Sequence, residues 1–175
     1  MSIAAGISIE TIQSFVGDNV GIIRIMPNTP ALVCEGMSAL TTNKNVDSST
    51  FEFVFELFSK IGKAVKVEET LMDAVTALSG SGPAFYYYLI NEFAKSATKE
   101  GLKYEDALIM SAQTALGAAK MILDTKLSPE TLIKNVTTPG GTTEVGNNIL
   151  AQSNIPAVFD EVIVKTAEKS RILGK

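Results

Sequence analysis

The stretch VGIIRIMPNTP, residues 20–30, decides how the first part of the chain folds. Its apolar, largely β-branched run is typical of a buried strand, and Pro27 and Pro30 must end that strand in a rigid turn. The apolar residues 1–6 precede it as another predicted strand, followed by a short helix that Ser8 can cap. Strands alternating with a helix in this way indicate an α/β layer.

The same alternation continues outward from this stretch as far as residue 67. Residues 36–42 predict a third strand, a helix begins at Asp47 or Ser48, and residues 63–67 alternate as a fourth strand. From residue 68 onward the apolar period becomes helical, with helices predicted over residues 69–78, 83–99, 104–124 and 156–173. Ser128 is a further predicted N-cap, followed by Pro129 at the first helical position. We therefore predict an α/β fold with a mostly parallel sheet, followed by an all-α part.

Composition and charge exclude several classes of protein. The 175 residues are 46% hydrophobic and 19% charged, which is typical of a globular protein. The formal net charge is -4 with dispersed basic residues, so we expect no nucleic-acid partner. The single cysteine, Cys34, predicts a reducing compartment, with cytoplasm as the expectation, and the absence of histidine argues against triads and metal sites built on it. We expect no membrane span and no export signal.

Two glycine-rich breaks are candidate binding sites. Residues 137–143, TTPGGTT, place glycines and hydroxyl groups at a predicted helix start, where backbone N–H groups can hold a carboxylate or a phosphate. The alternative is a cap and a turn without a ligand. Residues 79–83, SGSGP, form either a corner between helices or a place where a ligand approaches the backbone. Neither break has the lysine of a P-loop, and the Gly80-Ser81-Gly82 sequence follows a helix, so the dinucleotide fingerprint is absent.

Acidic and small residues leave further alternatives open. Glu68, Glu69 and Asp73 are either catalytic or simply complement the dipole of a helix that begins nearby. The helix predicted over residues 104–124 is rich in alanine and contains Gly117, which predicts close packing against another helix. That second helix belongs either to the same chain or to a second copy.

Four motifs, taken together, resemble the pyrroline-5-carboxylate reductase family in order and spacing. They are SIAAG at residues 2–6, RIMPNTP at 24–30, DAVTALSGSGPA at 73–84 and VTTPGGTT at 136–143. The resemblance covers essentially the whole chain. It implies that residues 1–67 are the last part of a Rossmann-type nucleotide domain, and that residues 68–175 form a helical substrate-binding and dimerisation domain. The glycine-rich N-terminal portion of the family has no counterpart in this sequence.

The resemblance implies an activity and partners. Members of the family reduce 1-pyrroline-5-carboxylate to L-proline, the last step of proline biosynthesis, with NADPH or NADH as the cofactor. We expect this chain alone to be inactive, because the phosphate-binding part of the cofactor site is absent, and we expect a homodimer or a larger homo-oligomer. The alternative from another class is a non-catalytic dimerisation or binding module derived from the family. A third reading is another reductase with a helical second domain.

The resemblance also implies the site residues, position by position. Ala4, Ala5 and Asn135 match cofactor-binding positions. Thr76 matches a hydroxyl that faces the substrate ring and is the catalytic candidate. Matching substrate-binding positions are Glu69, Thr138, Gly140, Gly141, Thr142 and Thr143. No metal is implied, and Lys126 stands where many relatives have an acidic residue.

Overall fold

The computed structural model describes residues 1–174; Lys175, the last residue of the predicted second domain, lies outside the described residues. Eight α-helices and three strands are described. In chain order they are α1 (Ile9–Val16), β1 (Ile23–Met26), β2 (Gly36–Thr42), α2 (Ser48–Ser59), β3 (Gly62–Lys66), α3 (Met72–Val75), α4 (Gly82–Thr98), α5 (Tyr104–Thr125), α6 (Pro129–Val136), α7 (Thr142–Gln152) and α8 (Ile155–Leu173). Short 3-10 turns cover Thr29–Val33 and Glu69–Leu71.

The three strands form one mixed sheet in the order β1-β2-β3. β1 and β2 are antiparallel, with Ile25 opposite Leu40. The nine residues between them (27–35) are too few for the crossover that a parallel pair needs. β2 and β3 are parallel because α2 forms the crossover between them. The core of this layer is Ile23, Ile25, Leu40 and Val54, with phenylalanines of α2 packed against it.

Local sequence signals set several helix ends. The Ser8 hydroxyl accepts a hydrogen bond from the Thr11 N–H at the start of α1, and the Asp47 carboxylate accepts one from Thr50 at the start of α2. Ser128 caps α6 in the same way, with Pro129 in the first turn. These contacts lie within four residues, which is why the sequence alone predicts them.

The segment between the two parts of the chain is not one regular helix. A 3-10 turn over Glu69–Leu71 leads into α3, and α3 continues as a π-helical turn over Thr76–Gly80 before α4 begins at Gly82. The Ser81 N–H donates to the Thr76 carbonyl oxygen at 2.8 Å, which closes the wider turn. π-turns inside helices are rare and occur often at functional sites.

The described residues divide into two compact units. The first comprises residues 1–84 with residues 159–174, and the second, the helical unit, is Phe85–Val158. These units do not coincide with residues 1–67 and 68–175, and the predicted domain boundary stays a prediction. None of the helices described over residues 1–174 is long and apolar enough to cross a membrane.

The predicted fold class, α/β followed by all-α with a partial Rossmann-type sheet, is confirmed, and three details are corrected. Residues 1–6 form no strand; Ser2 makes a single parallel bridge to Arg24. The sheet is mixed, since parallel pairing is confined to β2 and β3. The single helix predicted over residues 69–78 is three short turns, because Thr76–Gly80 widens into a π-turn.

Candidate functional site

A tight turn in the helical unit, together with the helix start that follows it, holds five of the six predicted substrate-binding residues. The Gly141 N–H donates to the Thr138 carbonyl oxygen at 2.9 Å, with Pro139 and Gly140 between them. Gly140 has φ +74°, so the turn is the type that needs proline second and glycine third. A Cβ on Gly141 would lie 2.9 Å from the Thr138 carbonyl oxygen, closer than real Cβ contacts, so the backbone of this turn requires both glycines.

This turn leads directly into the N-terminus of α7. No side chain caps that helix, and Gly141 is its N-cap residue, so first-turn N–H groups near Thr142 and Thr143 have no intrahelical acceptor. The Glu144 carboxylate accepts a hydrogen bond from the Gly140 N–H at 2.8 Å. The exposed helix start is suited to a carboxylate, because unpaired N–H groups and the dipole favour negative charge there.

Further contacts fix the other side of the same loop. Asn147 Nδ2 donates to Thr137 Oγ1 at 3.0 Å, and the Thr137 hydroxyl donates to the Ile133 carbonyl oxygen at 2.7 Å. Thr137 therefore links α6 to α7 at the base of the loop. Asn135, in the last turn of α6, is exposed. Its side-chain amide can both donate and accept hydrogen bonds.

In the first unit, Ala4 and Ala5 are exposed and lie in the connection between Ser2 and α1. The Ala4 N–H donates to the Ser2 hydroxyl at 3.3 Å. Their small side chains leave the backbone of this turn open to a flat ligand. The cofactor contact that the resemblance implies for Ala4 and Ala5 stays a prediction.

Glu69 makes tertiary contacts that its position at a helix start does not require. Its Oε1 accepts hydrogen bonds from Arg24 Nη1 at 2.7 Å and from the Ile9 N–H at 3.0 Å. Arg24 is 4% exposed. Asp73 also makes a tertiary contact, accepting from the Ser170 hydroxyl at 2.6 Å. For these two acidic residues the reading as dipole partners alone is therefore wrong.

Thr76, the catalytic candidate, is the first residue of the π-turn and is buried. Its hydroxyl donates to the Met72 carbonyl oxygen at 2.8 Å. The proton of this hydroxyl is therefore engaged, while the oxygen keeps lone pairs that can accept. Thr76 is suited to receive a hydrogen bond from an N–H group and not to deliver a proton.

The sequence analysis missed two residues that organise the first unit. Arg24 is the one charged residue in the run 20–26, and an arginine inside a buried strand signals a partner. Asn28 links two elements: its Oδ1 accepts from the Met37 N–H at 2.8 Å, and its Nδ2 donates to the Ser79 carbonyl oxygen at 3.0 Å. The linking role of Asn28 had no signal in the sequence, because an asparagine between two prolines is typical of a turn.

A cavity of about 350 Å³ lies beside α2 and contains none of the predicted site residues. Its lining is formed by Thr42, Val46, Ser48, Phe51, Glu52, Phe55 and Lys66. The predicted residues instead form two groups, one on each unit. Ala4, Ala5, Glu69 and Thr76 belong to the first unit, and Asn135, Thr138, Gly140, Gly141, Thr142 and Thr143 belong to the second.

Comparison with known proteins identifies the family. Residues 69–173 match the family described as pyrroline-5-carboxylate reductase dimerisation. A pyrroline-5-carboxylate reductase of Methanosarcina acetivorans is 42% identical over the whole chain, which spans 65% of that relative. The structure of a pyrroline-5-carboxylate reductase from Coxiella burnetii matches with TM-score 0.96 at 33% identity, covering 99% of this chain and 65% of that one.

The Plasmodium falciparum pyrroline carboxylate reductase, solved with NADP bound, matches with TM-score 0.90 at 33% identity. The alignment covers 99% of this chain and 70% of that one. The chain thus spans about two thirds of the length of the relatives it matches. The family match covers more than half of the residues, and the predicted resemblance is confirmed: the chain belongs to the pyrroline-5-carboxylate reductase family.

Proposed function

We propose that this chain supplies the substrate side of a pyrroline-5-carboxylate reductase, which reduces 1-pyrroline-5-carboxylate to L-proline, the last step of proline biosynthesis. The observation that carries the proposal is the uncapped N-terminus of α7 behind the Thr138–Gly141 turn. A substrate with one carboxylate matches that helix start, because the helix start is a small site and is positively polarised. Thr138, Thr142 and Thr143 are the proposed hydroxyl ligands, and Gly140 and Gly141 shape the turn.

The chemistry assigns Thr76 an accepting role. Reduction adds a hydride to the carbon of the C=N bond, the π electrons pass to nitrogen, and nitrogen ends with a proton. A nicotinamide, when bound, supplies the hydride. Because the Thr76 hydroxyl donates to Met72, its oxygen would accept from the N–H of an imine that binds already protonated. No strong protein acid is then needed, in agreement with a chain that lacks histidine.

We propose NADPH or NADH as the cofactor. The exposed turn at Ala4 and Ala5 fits its nicotinamide end. Asn135, which is exposed on the helical unit, is proposed as a cofactor contact on the resemblance alone. The part of the site that would bind the phosphates has no candidate in this sequence, so we propose that the chain alone turns over no substrate. Cytoplasm stays the proposed location, based on the single cysteine.

Self-association is the proposed role of the helical unit. Its family match is to a dimerisation domain, and apolar side chains such as Ile109, Met110 and Leu116 are exposed in the single chain. We propose a homodimer or a larger homo-oligomer that covers this face. The same exposed face also favours the alternative function, a non-catalytic dimerisation module.

One chimera separates the two functions. This chain would replace the matching 65% of the Methanosarcina acetivorans relative, and NADPH oxidation would be measured with 1-pyrroline-5-carboxylate. We expect oxidation by the chimera and none by the chain alone. An inactive, folded chimera supports the dimerisation module, and activity of the chain alone contradicts the proposed incomplete cofactor site.

A further inference from the structure

Glu69 occupies a position that its predicted role as a substrate ligand does not explain. Oε1 already accepts two hydrogen bonds, from Arg24 Nη1 at 2.7 Å and from the Ile9 N–H at 3.0 Å. Oε2 is buried and has no hydrogen-bond partner among the residues that the structure describes. Oε2 is therefore out of a ligand's reach, and Oε1 is already occupied by two donors.

The unpartnered oxygen argues against a role in stability alone. A buried carboxylate oxygen without a donor is destabilising, and an apolar pair in place of Arg24 and Glu69 would avoid it. The ion pair lies at the edge of burial, with the Arg24 side chain 5% and the Glu69 side chain 33% exposed. We therefore expect the function of this carboxylate to depend on the two groups that it binds, the Arg24 side chain and the Ile9 N–H.

Residues 3–7 form a loop whose two ends are both tied to Arg24, the first through the backbone of Ser2 and the second through Glu69. The loop leaves from Ser2, whose N–H donates to the Ile23 carbonyl oxygen at 2.9 Å and whose carbonyl accepts from the Ile25 N–H at 2.8 Å. These two hydrogen bonds bracket Arg24 on β1. The loop returns at Ile9, the first residue of α1, whose N–H reaches Glu69 and through it the side chain of the same Arg24.

The end of α8 packs closely against Gly6, in the middle of this loop. Gly6 has φ +78°, and a Cβ on it would lie 2.9 Å from the Ser170 carbonyl oxygen near the end of α8. The Ser170 hydroxyl donates to Asp73, four residues after Glu69. Glu69 bonds to the start of α1 and to Arg24, and Asp73 bonds to the end of α8, so the two carboxylates hold the elements on either side of the loop. The exposed residues Ala4 and Ala5 stand between these fixed points.

We propose that Glu69 is a positioning residue which, through Arg24 and the Ile9 amide, fixes the Ala4–Ala5 turn against β1 in the geometry that receives the nicotinamide end of the cofactor. This inference rests on the proposed function, because the ligand of the turn comes from it. The resemblance implies that Glu69 touches the substrate; in this proposal it acts instead by holding the loop that carries Ala4 and Ala5.

The first test measures ligand binding to this chain by NMR. The probes are reduced nicotinamide mononucleotide for the turn and L-proline for the start of α7. In Glu69→Ala we expect the dissociation constant of the mononucleotide to rise about fivefold and that of L-proline to stay unchanged. Glu69→Gln keeps an acceptor for both hydrogen bonds and restores binding to within about twofold. The exposed neighbour supplies the control, Glu68→Ala, which should bind as the wild type does.

The outcomes separate three roles for Glu69. Weaker L-proline binding with unchanged mononucleotide binding makes Glu69 a substrate ligand and overturns the proposal. A lower melting temperature with both dissociation constants unchanged makes the residue merely structural and also overturns it.

Hydrogen exchange tests, independently of any ligand, whether Glu69 holds the loop over residues 3–7 and the start of α1. We expect the amides of residues 3–9 to exchange at least about tenfold faster in Glu69→Ala than in Glu68→Ala, because the Ile9 N–H loses its acceptor. Unchanged exchange overturns the proposal. If the wild type binds neither probe but exchange accelerates in Glu69→Ala, the positioning of the loop by Glu69 stands and the proposed function fails.

Discussion

In the first unit, Ile25 and Leu40 are 1% and 0% exposed, at the centre of a sheet that α2 covers. Within residues 85–158, by contrast, the buried hydrophobic residues are Ala94 and Ala107, while Tyr86, Ile109 and Leu116 are exposed. The first unit builds its own core, and the helical unit in a single chain does not. An apolar surface of this kind marks an interaction site, so the two units depend on different contacts for stability.

The largest expected effect breaks the core of the first unit. Leu40→Ala removes a fully buried side chain and should lower the free energy of unfolding by about 3 kcal/mol. The matched change Leu116→Ala, in the helical unit, should cost under about 0.5 kcal/mol in a monomeric sample, since Leu116 is exposed there. Urea unfolding at low protein concentration measures both. Equal losses would contradict the contrast between the units.

Gly117→Leu sharpens the comparison from the other side. A Cβ on Gly117 would meet nothing within 4 Å among residues 1–174, so no contact within that part of the chain explains a glycine in α5. In a packed dimer the larger side chain should overpack the contact by about 2 kcal/mol and raise the dissociation constant about thirtyfold.

Sedimentation equilibrium measures that dissociation constant, with Lys120→Leu as a control at an exposed charged position of the same helix. A wild-type chain that stays an 18.6 kDa monomer at tens of micromolar would refute the proposed dimer.

Thr143→Val tests the ligand site of the helical unit. Loss of a charge-assisted hydrogen bond should weaken L-proline binding by about 1.5 kcal/mol, or roughly tenfold. The control Thr114→Val removes a hydroxyl from an exposed position of α5. Calorimetric titration compares the three proteins, and equal affinities would remove the Thr143 side chain from the proposed site.

The smallest effect concerns pH and the start of α2. Hydrogen bonds from the Ser49 hydroxyl, and from the N–H and hydroxyl of Thr50, hold the pKa of Asp47 well below its ordinary value of 3.8. A carboxyl with a lowered pKa contributes stability above its ordinary pKa and loses it as pH falls further. The melting temperature of the wild type should therefore exceed that of Asp47→Asn at pH 7, with the gap closing below pH 4. Circular dichroism melts from pH 7 to pH 2 measure it; a constant gap would show that the charge contributes nothing.

Local physics let the sequence predict much of this protein. The strand at residues 20–26, the turn after it, and the caps Ser8, Asp47 and Ser128 depend on residues within a few positions of one another. The Thr138–Gly141 turn belongs to the same class, because proline followed by two glycines permits few other conformations. The motifs themselves carried the resemblance to the family, which the comparisons confirmed.

Contacts between distant residues decided the rest. Arg24 and Glu69 are 45 positions apart, and no local pattern states that one carboxylate oxygen will hold both Arg24 and the start of α1. The π-turn at Thr76 and the antiparallel pairing of β1 with β2 likewise depend on how neighbouring elements pack. Hydrophobic periodicity records which face of an element is buried, but it does not record its partner, and a charged side chain inside a buried strand acquires one only when the chain is folded.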